Sequence, residues 1–492
     1  MTGILVLVAV SLILTLIPPE TFWVAVALAI IIVLYLFVLL LVRGQGVRGK
    51  SPPRWHGFFS LGTYFLIMFI VFGILYVFAL PSVAAIILIV ALMLTLIVNY
   101  VTVPLAILHK WKETKKVNSS PEKLPKISII IPAFNEGKVI ARTIENLIEA
   151  YYPKGLKEII VVDDGSKDNT SEIAQRYTKQ GIKLVKRENG GKFAALNTGL
   201  AYASGEIIIS LDADSLVTRP ALVEIIKPFN DPDVSGVAGT LKIFNRTNFW
   251  TNLQSLEYLT QIEIVRRAFD SFGTITVAPG AFSAFRRQAL MEIGNYDPDR
   301  LLEDFDITIK LQKAHKVLRG GSDALCYTEA PETLRDLYKQ RLSWYRGDFQ
   351  NFWKHRDVFT NPKFGFMHTL TLPYMVLSMI LVSFSSIVVI ATTVVMLLNG
   401  DWLIVLSAFA IFLLLQILQS ALAIQLGRDD WKLLIYSPLF IVGYKHFLDF
   451  VMIKALFDII YNRGTYLKRE RVERMGFKDG QWIQGEPHRS LK

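Results

Sequence analysis

Apolar positions fall in long unbroken runs towards both ends of the chain and in short, strand-length runs in the middle. The N-terminal runs cover about 3–17, 22–42, 58–80 and 83–107. The C-terminal runs cover about 366–398, 402–427 and 433–457. A helix needs about 20 apolar residues to cross about 30 Å of hydrocarbon, and every run but the first is long enough. "IPPE" (17–20) separates the short first run from the second as a tight turn. A signal peptide is the other reading of 1–17, but a basic start and a small-residue cleavage site are missing.

Between these blocks the period shortens and alternates. "KISIIIPAF" (126–134), "EIIVVDDGS" (158–166), "IKLVKRE" (182–188) and "EIIISLDADS" (206–215) read as strands. "GKVIARTIENLIEAYY" (137–152), "DNTSEIAQRY" (168–177) and "GKFAALNTGLAYA" (191–203) read as helices between them. Near-continuous apolar strands separated by helices predict a parallel sheet covered on both faces. Ligands of such sheets sit at the carboxyl ends of the strands.

Composition supports the division. The 492 residues are 52% hydrophobic and only 19% charged, against about a quarter charged for an ordinary soluble chain. The single cysteine, Cys326, excludes a disulfide framework within the chain and a cysteine-based zinc site. The net charge of +11 raises the question of nucleic acid. The basic residues instead cluster beside apolar runs, at 43–54, 109–116 and 467–478. That is the cytoplasmic pattern of juxtamembrane Lys and Arg, so a bilayer and not a nucleic acid is the expected partner. Two spans lie between the basic segments 43–54 and 109–126, which places both segments and the middle block in the cytoplasm. Three full C-terminal spans would put the basic tail outside, against that rule. The last run also carries Lys445, His446, Asp449 and Lys454, so re-entrant, interfacial and cavity-lining readings stay open there.

Three strands end in polar punctuation: "PAFNE" (132–136), "DDGS" (163–166) and "DADS" (212–215). If the last strand persists, Asp212 and Asp214 share one face. Like charges so placed call for a positive partner, and a hard divalent ion carrying substrate phosphates supplies one. An Asp pair that only caps a turn is the plainer reading.

"IPAFNE", "VVDDGS", "GGKFAALNTGL", "LDADS", "GAFSAFRRQAL", "LLEDFDITIKL" and "PETLRDLYKQRLSWYRG" occur in this order over about 126–350. In these motifs the chain resembles the family 2 inverting glycosyltransferases of GT-A fold. The likeness is to the membrane-embedded synthases of poly-N-acetylglucosamine, chitin oligosaccharide, hyaluronan and cellulose. It implies a multi-pass α-helical plasma-membrane protein with an inserted cytoplasmic α/β GT-A domain, Rossmann-like with a mostly parallel sheet. The expected organisation is about four transmembrane helices in 1–107, a basic linker in 108–125 and the transferase domain in 126–335. An amphipathic interfacial segment in 336–363, two or three transmembrane helices in 364–460 and a basic cytoplasmic tail in 461–492 complete it.

The resemblance also implies roles. Ala133, Glu136, Asp163 and Asp164 line the nucleotide pocket of a UDP-sugar. Carboxylates suit uracil N–H and ribose hydroxyls, although Asp163 and Asp164 equally suit an Asx-type turn and Glu136 a helix cap. Lys192, after Gly190 and Gly191 at a helix start, suits a phosphate or a carboxylate. Asp214 ligates Mg²⁺ or Mn²⁺ on the diphosphate, with Asp212 near the sugar or nucleotide. Asp304 is the general base that takes the acceptor proton, beside Glu303 and Asp306. Glu303, Gln340, Arg341 and Trp344 are assigned to the acceptor and diphosphate, with Trp344 as a sugar platform or an interface anchor. The family pattern there is Gln, two variable residues, Arg, then Trp, and Ser343 takes the place of that Arg. Arg341 or Arg346 can stand in for it.

Three functions follow. The first is a polysaccharide synthase coupled to export, with room for an accessory membrane subunit. The second is a non-processive enzyme adding one sugar to a lipid or polyprenyl acceptor, which the Ser343 departure favours. The third is a silent membrane scaffold, which the intact Asp164, Asp214 and Asp304 set opposes.

Overall fold

The computed structural model describes residues 102–111, 113, 123–298 and 301–461. The expected N-terminal spans up to residue 101, the basic stretch 43–54 and the tail from residue 462 lie outside the described residues.

The first half of the domain follows the alternating pattern. β1 (Ile127–Ala133) pairs in parallel with β2 (Lys157–Asp163), and β2 with β3 (Lys183–Lys186). On its other side β1 pairs in parallel with β4 (Ile207–Leu211). Successive β1 residues face opposite ways, as strand geometry requires. Ile127, Ile129 and Ile131 enter one core, and Ile130 enters the core on the other face. Helix α1 (Ile140–Glu149) buries Ile140, Thr143, Ile144 and Leu147, one stripe at helical spacing, against the first face. α2 (Thr170–Arg176) joins that side through Ala174, and α3 (Lys192–Tyr202) covers the other with Ala195, Leu196 and Leu200.

The second half departs from the expected parallel sheet. Eight strands run in the order β3-β2-β1-β4-β7-β6-β8-β5, with β5 (Leu216–Val217), β6 (Val234–Ile243), β7 (Phe282–Arg286) and β8 (Val317–Thr328). β7 lies antiparallel to both β4 and β6, and β5 antiparallel to β8, so the sheet is mixed. All ten β6 residues are buried, which gives that strand no alternation to read. The "LDADS" strand also stops early. The Ser215 amide donates to the Asp212 carbonyl at 3.1 Å, closing a turn directly after Leu211. Asp212 and Asp214 therefore do not share a strand face.

Three helices follow in the second half of the domain and after it. α4 (Phe249–Thr260) starts at a capping box between Asn248 and Thr251. α5 (Glu303–Lys313) opens with the second acidic cluster, and acids at a helix start suit its dipole. α6 (Leu334–Lys354) is one continuous helix carrying the "QRLSW" segment, capped by Thr333. It lies between the domain and the C-terminal helices. Leu342, Phe349 and Phe352 pack with Phe305 and Ile309 of α5 and with Val451, Met452 and Ala455 of the last helix.

Among the described residues, Met367–Leu398 and Val405–Gly427 are long and apolar enough to cross a membrane. They include α7 (Val382–Leu398) and most of α8 (Trp402–Gly427). The third apolar run is not one straight helix. Val442 and Gly443 break it with non-helical backbone, Gly443 at φ +107°, before α9 (Lys445–Tyr461). The charges of α9 have partners: Lys445 pairs with Asp449 at 2.6 Å, Ser383 donates to Asp449 at 2.7 Å, and Lys454 pairs with Asp458. Ionised groups in an apolar setting require such partners.

Candidate active site

The ends of β1 and β2 are tied to the start of α3. Ala133 lies opposite Asp163 in the register, and the Asp164 amide donates to the Ala133 carbonyl at 2.8 Å. Asp163 accepts from the Ser166 amide at 2.9 Å, which is the turn-closing role for an Asp in this position. The loop after β1 is tied to the start of α2, where the Glu136 amide donates to Thr170 Oγ1 at 2.8 Å. Asp164 is almost fully buried and accepts from the amides of Gly190 (3.1 Å) and Gly191 (2.7 Å), with the Arg187 guanidinium 3.3 Å away. Burial pushes its carboxyl up, and those amides and Arg187 pull it back only in part. The two glycine amides that suit a phosphate are thus turned to Asp164.

Lys192, the first residue of α3, joins the two acidic clusters. Its Nζ lies 2.8 Å from Asp212 Oδ1 and 2.8 Å from Glu303 Oε1. Asp214 sits two residues further on, 2% exposed, in a turn held by the Thr143 hydroxyl donating to the Ala213 carbonyl at 2.6 Å. Asp304 follows Glu303 and is half-buried, accepting from the amides of Gly280 (2.9 Å) and Phe305 (2.8 Å). Burial first, and then the Glu303 carboxylate, raise the Asp304 carboxyl, while Lys192 and the two amides lower it; the net direction is up. A small cavity lined by Ser210, Pro279, Gly280, Tyr296 and Ile307 adjoins it.

Gly280 was given no role by sequence reasoning. A Cβ there would lie 2.7 Å from Lys192 Nζ and 3.3 Å from both Asp304 Oδ2 and Glu303 Oε1, so only glycine lets the three charged groups converge. Asp306 turns away to the end of α6, where Lys354 meets it at 2.5 Å and His355 at 2.8 Å.

The "QRLSW" residues form a separate cluster. Arg341 is 1% exposed, pairs with Glu257 of α4 at 2.7 Å, donates to Gln340 at 2.6 Å and stacks over Trp344 at 4.2 Å. Tyr444 donates to the same Glu257 carboxylate at 2.6 Å. Arg346 pairs with Asp458 of α9 at 2.5 Å. The two arginines that the sequence offers for the diphosphate are both engaged by acids of other helices.

In this arrangement a carboxylate of raised basicity, Asp304, lies at the carboxyl edge of a sheet beside an ammonium and two further acids. It suits proton removal from a hydroxyl that attacks a centre near Lys192.

Comparison with known proteins agrees with the fold. Residues 128–294 match the family model "Glycosyl transferase family 2". The poly-beta-1,6-N-acetyl-D-glucosamine synthase of Staphylococcus aureus (strain COL) is 31% identical over 257 residues, 52% of this chain and 61% of that protein. The enzyme of that name from Staphylococcus epidermidis is 33% identical over 244 residues, 48% of this chain and 59% of that protein. The match therefore spans less than two thirds of these relatives. A solved mannosyltransferase from Pyrobaculum calidifontis, in complex with GDP-Man and Mn²⁺, shares the fold with a TM-score of 0.52. It is 21% identical, over 75% of this chain and 98% of its own.

Proposed function

We propose that this chain, which carries a family 2 glycosyltransferase domain of GT-A fold and resembles poly-β-1,6-N-acetylglucosamine synthases, is a membrane-bound inverting glycosyltransferase. It moves a sugar of the N-acetylglucosamine or glucose type from a UDP-sugar to a growing β-linked polysaccharide. The two long apolar helices anchor it, and the basic juxtamembrane segments keep the domain on the cytoplasmic side. The observation that carries the reading is the Lys192 bridge, which sets Asp304 beside the donor-end acid Asp212.

The acceptor hydroxyl is deprotonated by Asp304 as its oxygen forms a bond to the anomeric carbon. The bond from that carbon to the diphosphate oxygen breaks, and its electron pair leaves with UDP. Attack opposite the leaving group turns an α-linked donor into a β-linkage. Lys192 stabilises the departing diphosphate from the sugar side, exchanging its carboxylate partners for phosphate oxygens. Asp164 and Asp163 hold the uridine end. A divalent ion suits the single buried carboxylate of Asp214, because Mg²⁺ binds through one or two carboxylates plus substrate phosphates. When bound it would neutralise charge on the leaving diphosphate.

One observation favours a second reading, single-sugar transfer to a lipid acceptor: Arg341 and Arg346 are held by Glu257 and Asp458. Purified protein with Mg²⁺ or Mn²⁺ and a panel of UDP-sugars decides. UDP release with a long product supports the synthase. Release only on adding a lipid acceptor, with a one-sugar product, supports the second reading. No release with any donor opposes both.

A further inference from the structure

α6 packs directly on the residue that precedes the acid pair. A Cβ on Gly347 would lie 2.5 Å from Leu302 Cγ, so the helix backbone approaches there as closely as glycine allows. One turn later Asn351 Nδ2 donates to the Leu302 carbonyl at 3.0 Å. Asp348 lies between these two contacts and one helical turn after Trp344, which puts both side chains on one side of α6. Its carboxyl is half-buried and feels the charge of Asp304. The surrounding acids are all tied: Asp304 to two amides, Glu303 to Lys192, Asp306 to Lys354 and His355. Asp348 has no hydrogen bond or ion pair among the described residues.

A half-buried carboxyl without a partner is favourably satisfied by a ligand hydroxyl. Burial first, and Asp304 second, push the Asp348 carboxyl up to about 8, so at neutral pH it carries a proton and both donates and accepts. Sugar hydroxyls do the same, and Trp344 lies one helical turn away on the same side of α6.

We propose that Asp348 is an acceptor-binding residue, whose carboxyl hydrogen-bonds a hydroxyl of the acceptor's terminal sugar next to Trp344 and so directs the attacking hydroxyl to Asp304. This rests on the glycosyltransferase reading above. It adds an acid that sequence reasoning passed over and assigns it to the acceptor, not the donor. The charged and titratable groups facing Asp348 are Asp304 of α5 and Tyr345 of its own helix.

The test uses the full-length protein in detergent with Mg²⁺, UDP-N-acetylglucosamine and a short β-linked N-acetylglucosamine oligosaccharide as acceptor. D348A is expected to raise the acceptor KM about tenfold with the donor KM unmoved, the scale of one lost hydrogen bond. D348N, which still donates and accepts, is expected to keep the acceptor KM near the wild-type value. It also tests the idea if D348A does not fold: the wild-type acceptor KM should rise above about pH 8 as the acid ionises, whereas that of D348N should stay flat. Acceptor KM values in D348A equal to wild type, or an alkaline rise shared by wild type and D348N, would overturn the assignment. A wild-type protein that releases no UDP from any donor overturns the underlying reading instead.

Discussion

Lys192 and Glu303 form an ion pair of 2.8 Å between the first residue of one helix and the first residue of another, 111 positions apart in the chain. Glu303 is 5% exposed, so its charge depends on this partner. K192A leaves it uncompensated. Removing one member of a buried pair costs about 3 kcal/mol or more. K192A is expected to melt several degrees lower and to bind donor diphosphate more weakly, whereas E303Q should restore stability to the double variant without restoring activity. Thermal melts of the single and double variants check this.

Asp304→Asn keeps the shape but can accept from only one of the Gly280 and Phe305 amides, and it cannot take a proton. Turnover is expected to fall by about 10²-fold or more, with UDP binding retained. Calorimetry with UDP alongside a UDP-release assay separates the two effects. Unchanged turnover would remove Asp304 from the role of base.

The pH profile follows from the raised Asp304 carboxyl. Only its ionised form serves as a base, so kcat/KM should rise with pH through a value above the ordinary Asp range of about 4. Glu303 holds the Asp304 carboxyl up and Lys192 holds it down. Asp348 is the neighbouring acid on α6. K192A should therefore move the rise to higher pH, whereas Asp348 is protonated over that range, so D348A should leave the rise in place.

Stability should depend on pH through Asp348. Its folded carboxyl stands at about 8, while an unfolded Asp ionises near ~4. Between those values the folded state holds a proton that the unfolded chain has lost, so stability falls as pH rises and levels off above about 8. D348N is expected to flatten that part of a melting-temperature profile.

Gly280→Ala places a methyl 2.7 Å from Lys192 Nζ. The clash is with the end of a flexible side chain, so the fold should survive while Lys192 leaves its position. Turnover is expected to fall by about 10²-fold, the penalty for misplacing a reacting group by about 1 Å, and the melting temperature to fall as Lys192 withdraws from Glu303.

How far the chain could be read depended on how local each cause was. The stripe of Ile140, Thr143, Ile144 and Leu147 and the alternation within β1 are visible in short windows, so α1 and the parallel strands were legible. β6 is buried at every position, and β7 enters between β4 and β6 from far along the chain, so the mixed sheet was not. The Asp212–Ser215 turn was hidden because one hydrogen bond ends the strand where composition would extend it. Acids at the strand ends marked Asp164 and Asp214 as candidates, and the resemblance assigned their roles and that of Asp304, which opens a helix. Which cation meets which acid was set by contacts across many tens of residues: Lys192 with Glu303, and Arg341 with Glu257. No local spacing encodes these.

The central claim is that a site assembled around Lys192, with Asp304 as base, inverts the donor's anomeric centre. The most direct measurement is the linkage formed from UDP-N-acetylglucosamine labelled with ¹³C at the anomeric carbon, read by NMR on the product. A β-linkage formed by the wild type and lost in D304N is the expected result. An α-linkage, or a β-linked product formed equally well by D304N, would contradict the claim.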